Sequence, residues 1–124
     1  MKTIEGSSKW RDVSRVAVIT SRFNWDVTQR LESGAVKALT EAGLHESQIV
    51  LMRVPGAFEI PLVAKACLMN GVDGVVALGA VIRGDTTHYT SVCEAVERGC
   101  TQLQLEFVKP VAFRSSLKTA FRSI

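Results

Sequence analysis

Several signals that would classify a chain quickly are scarce or missing here. Only three cysteines occur, Cys67, Cys93 and Cys100. Their odd number and the lack of any Cys-x-x-Cys pair argue against a disulfide framework and against the common zinc spacings. All three fall in helix-like stretches with apolar neighbours, which predicts small core residues rather than reactive thiols. No apolar run approaches the ~20 residues needed to span a bilayer. The opening MKTIEGSSKW is polar and offers no signal-peptide core. The expectation is a soluble, cytoplasmic protein with no membrane partner. Neither a Walker pattern nor Gly-x-Gly-x-x-Gly is present, so motif logic supports neither an NTPase nor a dehydrogenase. Repeats and low-complexity tracts are absent as well.

Acidic residues are missing from one place, the last eleven positions. Arg114, Lys118 and Arg122 lie there and account for the whole formal net charge of +3. The preceding 113 residues are neutral overall, which gives no footprint of a nucleic-acid binder. The basic end reads as a solvated tail, with a docking arm as the alternative.

What is present is a 124-residue chain, 47% hydrophobic, sized for one compact domain. Val16–Thr20 is a continuous, largely β-branched run that suits a strand covered on both faces. After Ser21-Arg22-Phe23-Asn24-Trp25 a helix follows, with Leu31, Ala35, Ala38, Leu39 and Ala42 at helical spacing and Gly43 closing it. Ile49–Val54 reads as a second strand. Pro55-Gly56 turns the chain, and Pro61 stands early in a second helix, where its missing N–H does no harm. Val75–Ile82 is the most apolar run and the expected central strand. A third helix carries Tyr89, Val92, Cys93, Val96 and Leu103, and Pro110–Phe113 forms a short fourth strand. Alternating strands and helices predict an α/β fold with a four-stranded parallel sheet between helical layers.

Ligands of such sheets bind beyond the carboxyl ends of the strands. Phe23, Trp25 and Phe58 lie in those loops, and each admits two readings, as packing or as a stacking surface for a flat heterocycle. Asn24 and Glu59 are candidates for hydrogen bonds to polar ligand atoms. Gly84-Asp85-Thr86-Thr87 opens the third helix, with Asp85 or Thr86 as cap. The first-turn N–H groups there would suit an anion such as phosphate. His88 stands in that turn, and its near-neutral pKa fits proton transfer. A purely structural role is the alternative. His45, in a polar stretch, reads as a surface residue. Arg83-Gly84-Asp85 is not read as an adhesion tripeptide, because it sits between a buried strand and a helix.

Taken together, Ser21-Arg22-Phe23-Asn24, Val54-Pro55-Gly56-Ala57-Phe58-Glu59-Ile60-Pro61, Ala77 through Tyr89, and Lys109-Pro110-Val111-Ala112-Phe113 are matched in order and spacing. The sequence resembles the 6,7-dimethyl-8-ribityllumazine synthase family across residues 4–113. That resemblance implies a three-layer flavodoxin-like sandwich that self-assembles into pentamers or sixty-subunit shells. The implied reaction is a transferase step of riboflavin biosynthesis. It condenses 5-amino-6-(D-ribitylamino)uracil with 3,4-dihydroxy-2-butanone 4-phosphate, with no metal or organic cofactor. By position, Phe23 would stack on the pyrimidine and Asn24 would bind substrate. Ala57, Phe58 and Glu59 would hold the ribityl chain, and Val81 and Ile82 would meet the uracil through their backbone. Gly84, Asp85 and Thr86 would take the phosphate, His88 would move protons, and Phe113 would reach a neighbouring subunit's site.

The chain departs from the family pattern in two places. Thr87 stands where proline is frequent, a change that a helix start tolerates. Beyond Phe113 the family continues through a glycine and two more helices, one of them bearing a phosphate-binding arginine, whereas residues 114–124 read RSSLKTAFRSI. Residues 1–113 are therefore taken as the domain and 114–124 as a divergent basic tail. Truncation, a changed reading frame and divergence would each produce that ending. One sheet face is then expected to expose apolar surface. Two other readings stand beside the enzyme: a weakly active or inactive remnant that binds ligand or contributes to assembly, and an unrelated phosphate-binding module.

Overall fold

The computed structural model describes residues 1–3, 15–83 and 86–119, with side chains for all of these except 81–91 and 116–119. Four strands and three α-helices alternate along the chain. They are β1 (Val16–Ser21), α1 (Trp25–Glu41), β2 (Ile49–Val54), α2 (Ile60–Met69), β3 (Gly74–Arg83), α3 (Thr86–Phe107) and β4 (Val111–Thr119). Short 3-10 turns at Glu46–Gln48 and Ala57–Glu59 precede β2 and α2.

All strand pairs are parallel, in the order β2-β1-β3-β4. From β1 the chain moves outward to β2, then returns past β1 to β3 and on to β4. Right-handed crossovers therefore require α1 on one face and both α2 and α3 on the other. The core divides accordingly. Ala17, Ile19, Val75, Ala77 and Val111 face α2 and α3, where they meet Ile60, Ala64, Val96, Cys100 and Leu103. Val16, Val18 and Leu78 face α1 and pack on Leu39 and Leu44. Strand residues alternate between the two layers as the pleat demands, and β1 is buried on both. Each of the Val, Leu and Ile side chains among these stabilises the fold by roughly 1.5–3 kcal/mol.

Local chemistry sets the boundaries. Gly43 (φ 115) and Gly71 (φ 92) take the left-handed conformation that ends α1 and α2. Pro61 occupies the first turn of α2. Arg15 ties the sheet's amino edge to the end of α2, its N–H donating to Asp73 Oδ2 at 3.2 Å and its Nη2 to the Asn70 carbonyl at 3.0 Å.

The apolar spacing of α1 holds in part: Leu39 is buried and Leu31 and Ala35 pack half-buried against the same core, while Ala38 is exposed and Thr28 and Glu32 are buried beside them. A carboxylate takes an inward position because partners await it on the sheet. The fourth strand is longer than the expected Pro110–Phe113. It pairs with β3 from Val75↔Val111 to Arg83↔Thr119, because the ten-residue β3 offers unpaired backbone along its whole length. On the α1 side of β4, Ala112 and Arg114 are exposed and Val76 of β3 is half-buried.

Candidate functional site

The carboxyl ends of β1 and β3 flank the point where the crossovers change direction, the usual position of a ligand crevice in an open parallel sheet. Two loops meet at this edge, 22–24 after β1 and 55–59 after β2, while β3 ends at Arg83 and α3 begins at Thr86.

The two loops are joined through their main chains. Arg22 N–H donates to the Val54 carbonyl at 2.7 Å, and Phe23 N–H donates to the Pro55 carbonyl at 3.2 Å. Asn24 then adopts a left-handed conformation (φ 57, ψ 52), which asparagine tolerates better than most residues. That turn lets its carbonyl accept from Val27 N–H at 2.9 Å and Thr28 N–H at 3.1 Å, starting α1. Its side chain does not cap the helix, and its buried Nδ2 has no hydrogen-bond partner among the described residues. Ser21 Oγ is likewise buried and unpartnered. Such donors are rare in folded proteins and stand ready for a ligand or a water.

The β2 turn presents its residues in sequence. Ala57 is buried, Phe58 is 58% exposed, and Phe23 across the junction is 49% exposed. Glu59 folds back over the turn, its Oε2 lying 3.4 Å from where a Cβ on Gly56 would stand, and its N–H donates to the Gly56 carbonyl at 3.3 Å. Ala57, Ile60 and Phe113 converge on Gly79 of β3, within 3.5–3.8 Å of the position a Cβ there would take. Phe113 is thus half-buried against the α2/α3 core, beside the residue that opens the 57–59 turn.

Beneath the loops, on the α1 face, lies a polar array. Glu32 Oε1 accepts from Thr20 Oγ1 at 2.9 Å and from Arg53 Nε at 3.2 Å, while Oε2 accepts from Arg53 Nη2 at 2.9 Å. The Arg53 guanidinium lies 4.9 Å from the centroid of the Trp25 ring. Burial by itself would raise the Glu32 pKa. The hydrogen bonds from Arg53 and Thr20, with the arginine's charge, outweigh it and hold the carboxyl below its ordinary value. No sequence signal singled out this array, because its members are 12 and 21 residues apart. Trp25, read from sequence as a loop aromatic, is the first residue of α1.

The structure therefore brings Phe23, Asn24, Ala57, Phe58 and Glu59 to one sheet edge, whereas Phe113 pairs with Ala77 inside the sheet and reaches Ala57 only over Gly79. Val81 and Ile82 are residues of β3, in register with Leu117 and Lys118 of β4. Thr86 opens α3 and His88 lies in its first turn. Gly84 and Asp85 fall outside the described residues, as do the side chains of Thr86 and His88.

The cysteines pack as expected: Cys67 and Cys100 are buried and Cys93 is half-buried, all free. Burial, and then the charge of Glu97, push the Cys100 thiol up to about 11, far from thiolate reactivity. His45 is exposed. No group of three or more His, Cys, Asp or Glu is placed to hold a metal ion, and no helix is long and apolar enough to cross a membrane, among the described residues.

Comparison with known proteins follows the same residues. The family model described as 6,7-dimethyl-8-ribityllumazine synthase matches residues 13–115. A 6,7-dimethyl-8-ribityllumazine synthase of Bdellovibrio bacteriovorus is 48% identical over 99 residues, covering 80% of this chain and 54% of that protein. One of Desulfosudis oleivorans is 53% identical over 98 residues, covering 78% and 62%. One of Chlorobium limicola is 42% identical over 114 residues, covering 91% and 73%. The chain thus spans less than two-thirds of the length of the first two relatives.

Proposed function

Because the chain belongs to the 6,7-dimethyl-8-ribityllumazine synthase family, we propose that it condenses 5-amino-6-(D-ribitylamino)uracil with 3,4-dihydroxy-2-butanone 4-phosphate in riboflavin biosynthesis. The observation that carries this reading is the pair Phe23 and Phe58. Both rings are about half exposed on adjoining loops at the carboxyl edge of the sheet. A flat pyrimidine stacked on Phe23 gives that exposed ring a purpose that core packing does not.

In this reading the unpartnered Asn24 amide donates to the pyrimidine. Ala57, Phe58 and Glu59 hold the ribityl chain, the Glu59 carboxylate accepting its hydroxyl hydrogen bonds. The uracil meets the backbone of Val81 and Ile82. Gly84, Asp85 and Thr86 bring N–H groups at the start of α3 to the phosphate, where the positive end of the helix dipole favours an anion. His88, in the same first turn, accepts and returns protons. The substrate amine attacks the ketone and water is lost as a Schiff base forms, phosphate then leaves, and ring closure releases a second water. Each step moves a proton and none needs a covalent enzyme nucleophile, so holding the two reactants together supplies most of the acceleration. Phe113 serves the site of a neighbouring copy in a pentamer or larger shell. The assembly works in the cytoplasm.

The test is direct. Purified protein is mixed with both substrates and the absorbance of the lumazine product is followed, beside a calorimetric titration with the uracil alone. Product formation is the expected result. Uracil binding without product would instead identify a ligand-binding or assembly remnant, and an absence of both would overturn the reading.

A further inference from the structure

We infer that Arg53, locked onto Glu32 and laid over Trp25, is a positioning residue that sets the stance of Phe23 and Asn24 in the pyrimidine site. This rests on the reading of the loops given above.

The array holds both ends of the β1 loop. Thr20, at the end of β1, hydrogen-bonds Glu32, and Trp25, the first residue of α1, lies under the Arg53 guanidinium. Between them stand Ser21–Asn24. Arg53 itself immediately precedes Val54 and Pro55, whose carbonyls accept the Arg22 and Phe23 N–H groups. Arg53 therefore touches the start of α1 directly and the end of β1 through Glu32, from the strand that leads into the turn the loop is stitched to.

The loop's side chains do little to fix its shape: Asn24 is held at φ 57 with no side-chain cap and an amide unpartnered among the described residues. Its conformation rests on its carbonyl's bonds to Val27 and Thr28 N–H, on the two main-chain bonds to the β2 turn, and on the array. The chemistry of the array suits orientation more than stability. Two contacts from Arg53 to the two Glu32 oxygens fix the guanidinium, which holds its charge 4.9 Å from the centroid of the Trp25 ring. A well-packed apolar pair would stabilise the same contact as well or better, but it would not define one orientation.

The experiment compares the full chain with Arg53→Ala and Arg53→Lys by calorimetric titration with 5-amino-6-(D-ribitylamino)uracil, steady-state kinetics with both substrates, and NMR of the backbone amides. Arg53→Ala is expected to weaken uracil binding and raise its KM about tenfold, since sub-ångström misplacement of a binding group is enough for that. The KM of the butanone phosphate stays unchanged and kcat stays within about twofold. Arg53→Lys keeps the charge but not the two-pronged contact with Glu32, and it recovers only part of the loss. The amides of Arg22–Asn24 shift while those of Cys100–Phe107 do not. Wild-type binding with unmoved loop amides, or an equal rise in both KM values, overturns the inference. Should Arg53→Ala fail to fold, Trp25→Leu removes the stack alone and carries the same expectations. Failure of the unmutated chain to bind the uracil sinks the functional reading instead, while the loop amides still decide the positioning role.

Discussion

Gly99 of α3 lies directly over Pro61 of α2: a Cβ on Gly99 would stand 2.9 Å from both Cβ and Cγ of the proline ring. The ring is rigid and sits in the first turn of its helix, so the two helices would have to part. Gly99→Ala gains roughly 1 kcal/mol of helix propensity but loses about 1–3 kcal/mol to overpacking. We expect net destabilisation. Gly34, on α1, meets nothing within 4 Å, so Gly34→Ala should stabilise by up to about 1 kcal/mol. Urea midpoints moving in opposite directions for the two variants would establish the contact, and matching shifts would refute it.

Val108 follows α3 with φ 53 and is 88% exposed. A β-branched residue pays about 1–2 kcal/mol in this left-handed conformation. Val108→Gly removes that strain and loses little burial, though glycine also loosens the unfolded chain. The net gain should be about 0.5–1 kcal/mol in chemical denaturation. No gain would mean that the turn is not strained.

Glu32 predicts an acid limb of stability. Its folded-state pKa lies below the ordinary 4.5, so the native state favours the ionised form. That contribution is fully present above pH 4.5 and disappears as the pH falls through the lower folded value. Glu32→Gln should therefore melt below the wild type at neutral pH, with the gap narrowing from pH 4.5 downward. Parallel melting curves across that range would show that the carboxylate's charge contributes nothing.

His88→Ala should slow lumazine formation by about a hundredfold or less without abolishing it, because proton transfer adds to the larger effect of holding the reactants together. Stopped-flow measurement of product absorbance supplies the number. Complete loss in a variant that still folds and assembles would count against the positioning account.

The sheet was readable from residue types because its strands are continuous apolar runs. Val16–Thr20 lengthens by one residue to Ser21, Ile49–Val54 is unchanged, and Val75–Ile82 gains one residue at each end. Phe23, Asn24 and Phe58 stood out because aromatic and amide side chains directly after buried strands have no core to fill. Glu32 was invisible for the opposite reason. A glutamate on an amphipathic helix reads as solvent-facing, and only the approach of Thr20 and Arg53 turns it inward. The length of β4 was equally hidden, since RSSLKT carries little strand signal of its own and follows the edge that β3 presents.

By itself the sequence determined the alternation of strands and helices and which loops follow the strands, since apolar periodicity and turn chemistry are local properties. Tertiary structure alone decided the order β2-β1-β3-β4 and the joining of the first two loops through Val54 and Pro55. It also decided the pairing of Glu32 with Arg53 and the meeting of Phe113 with Ala57 over Gly79. These relationships bring together residues far apart in the chain, and only packing both faces of one sheet places them within a few ångströms.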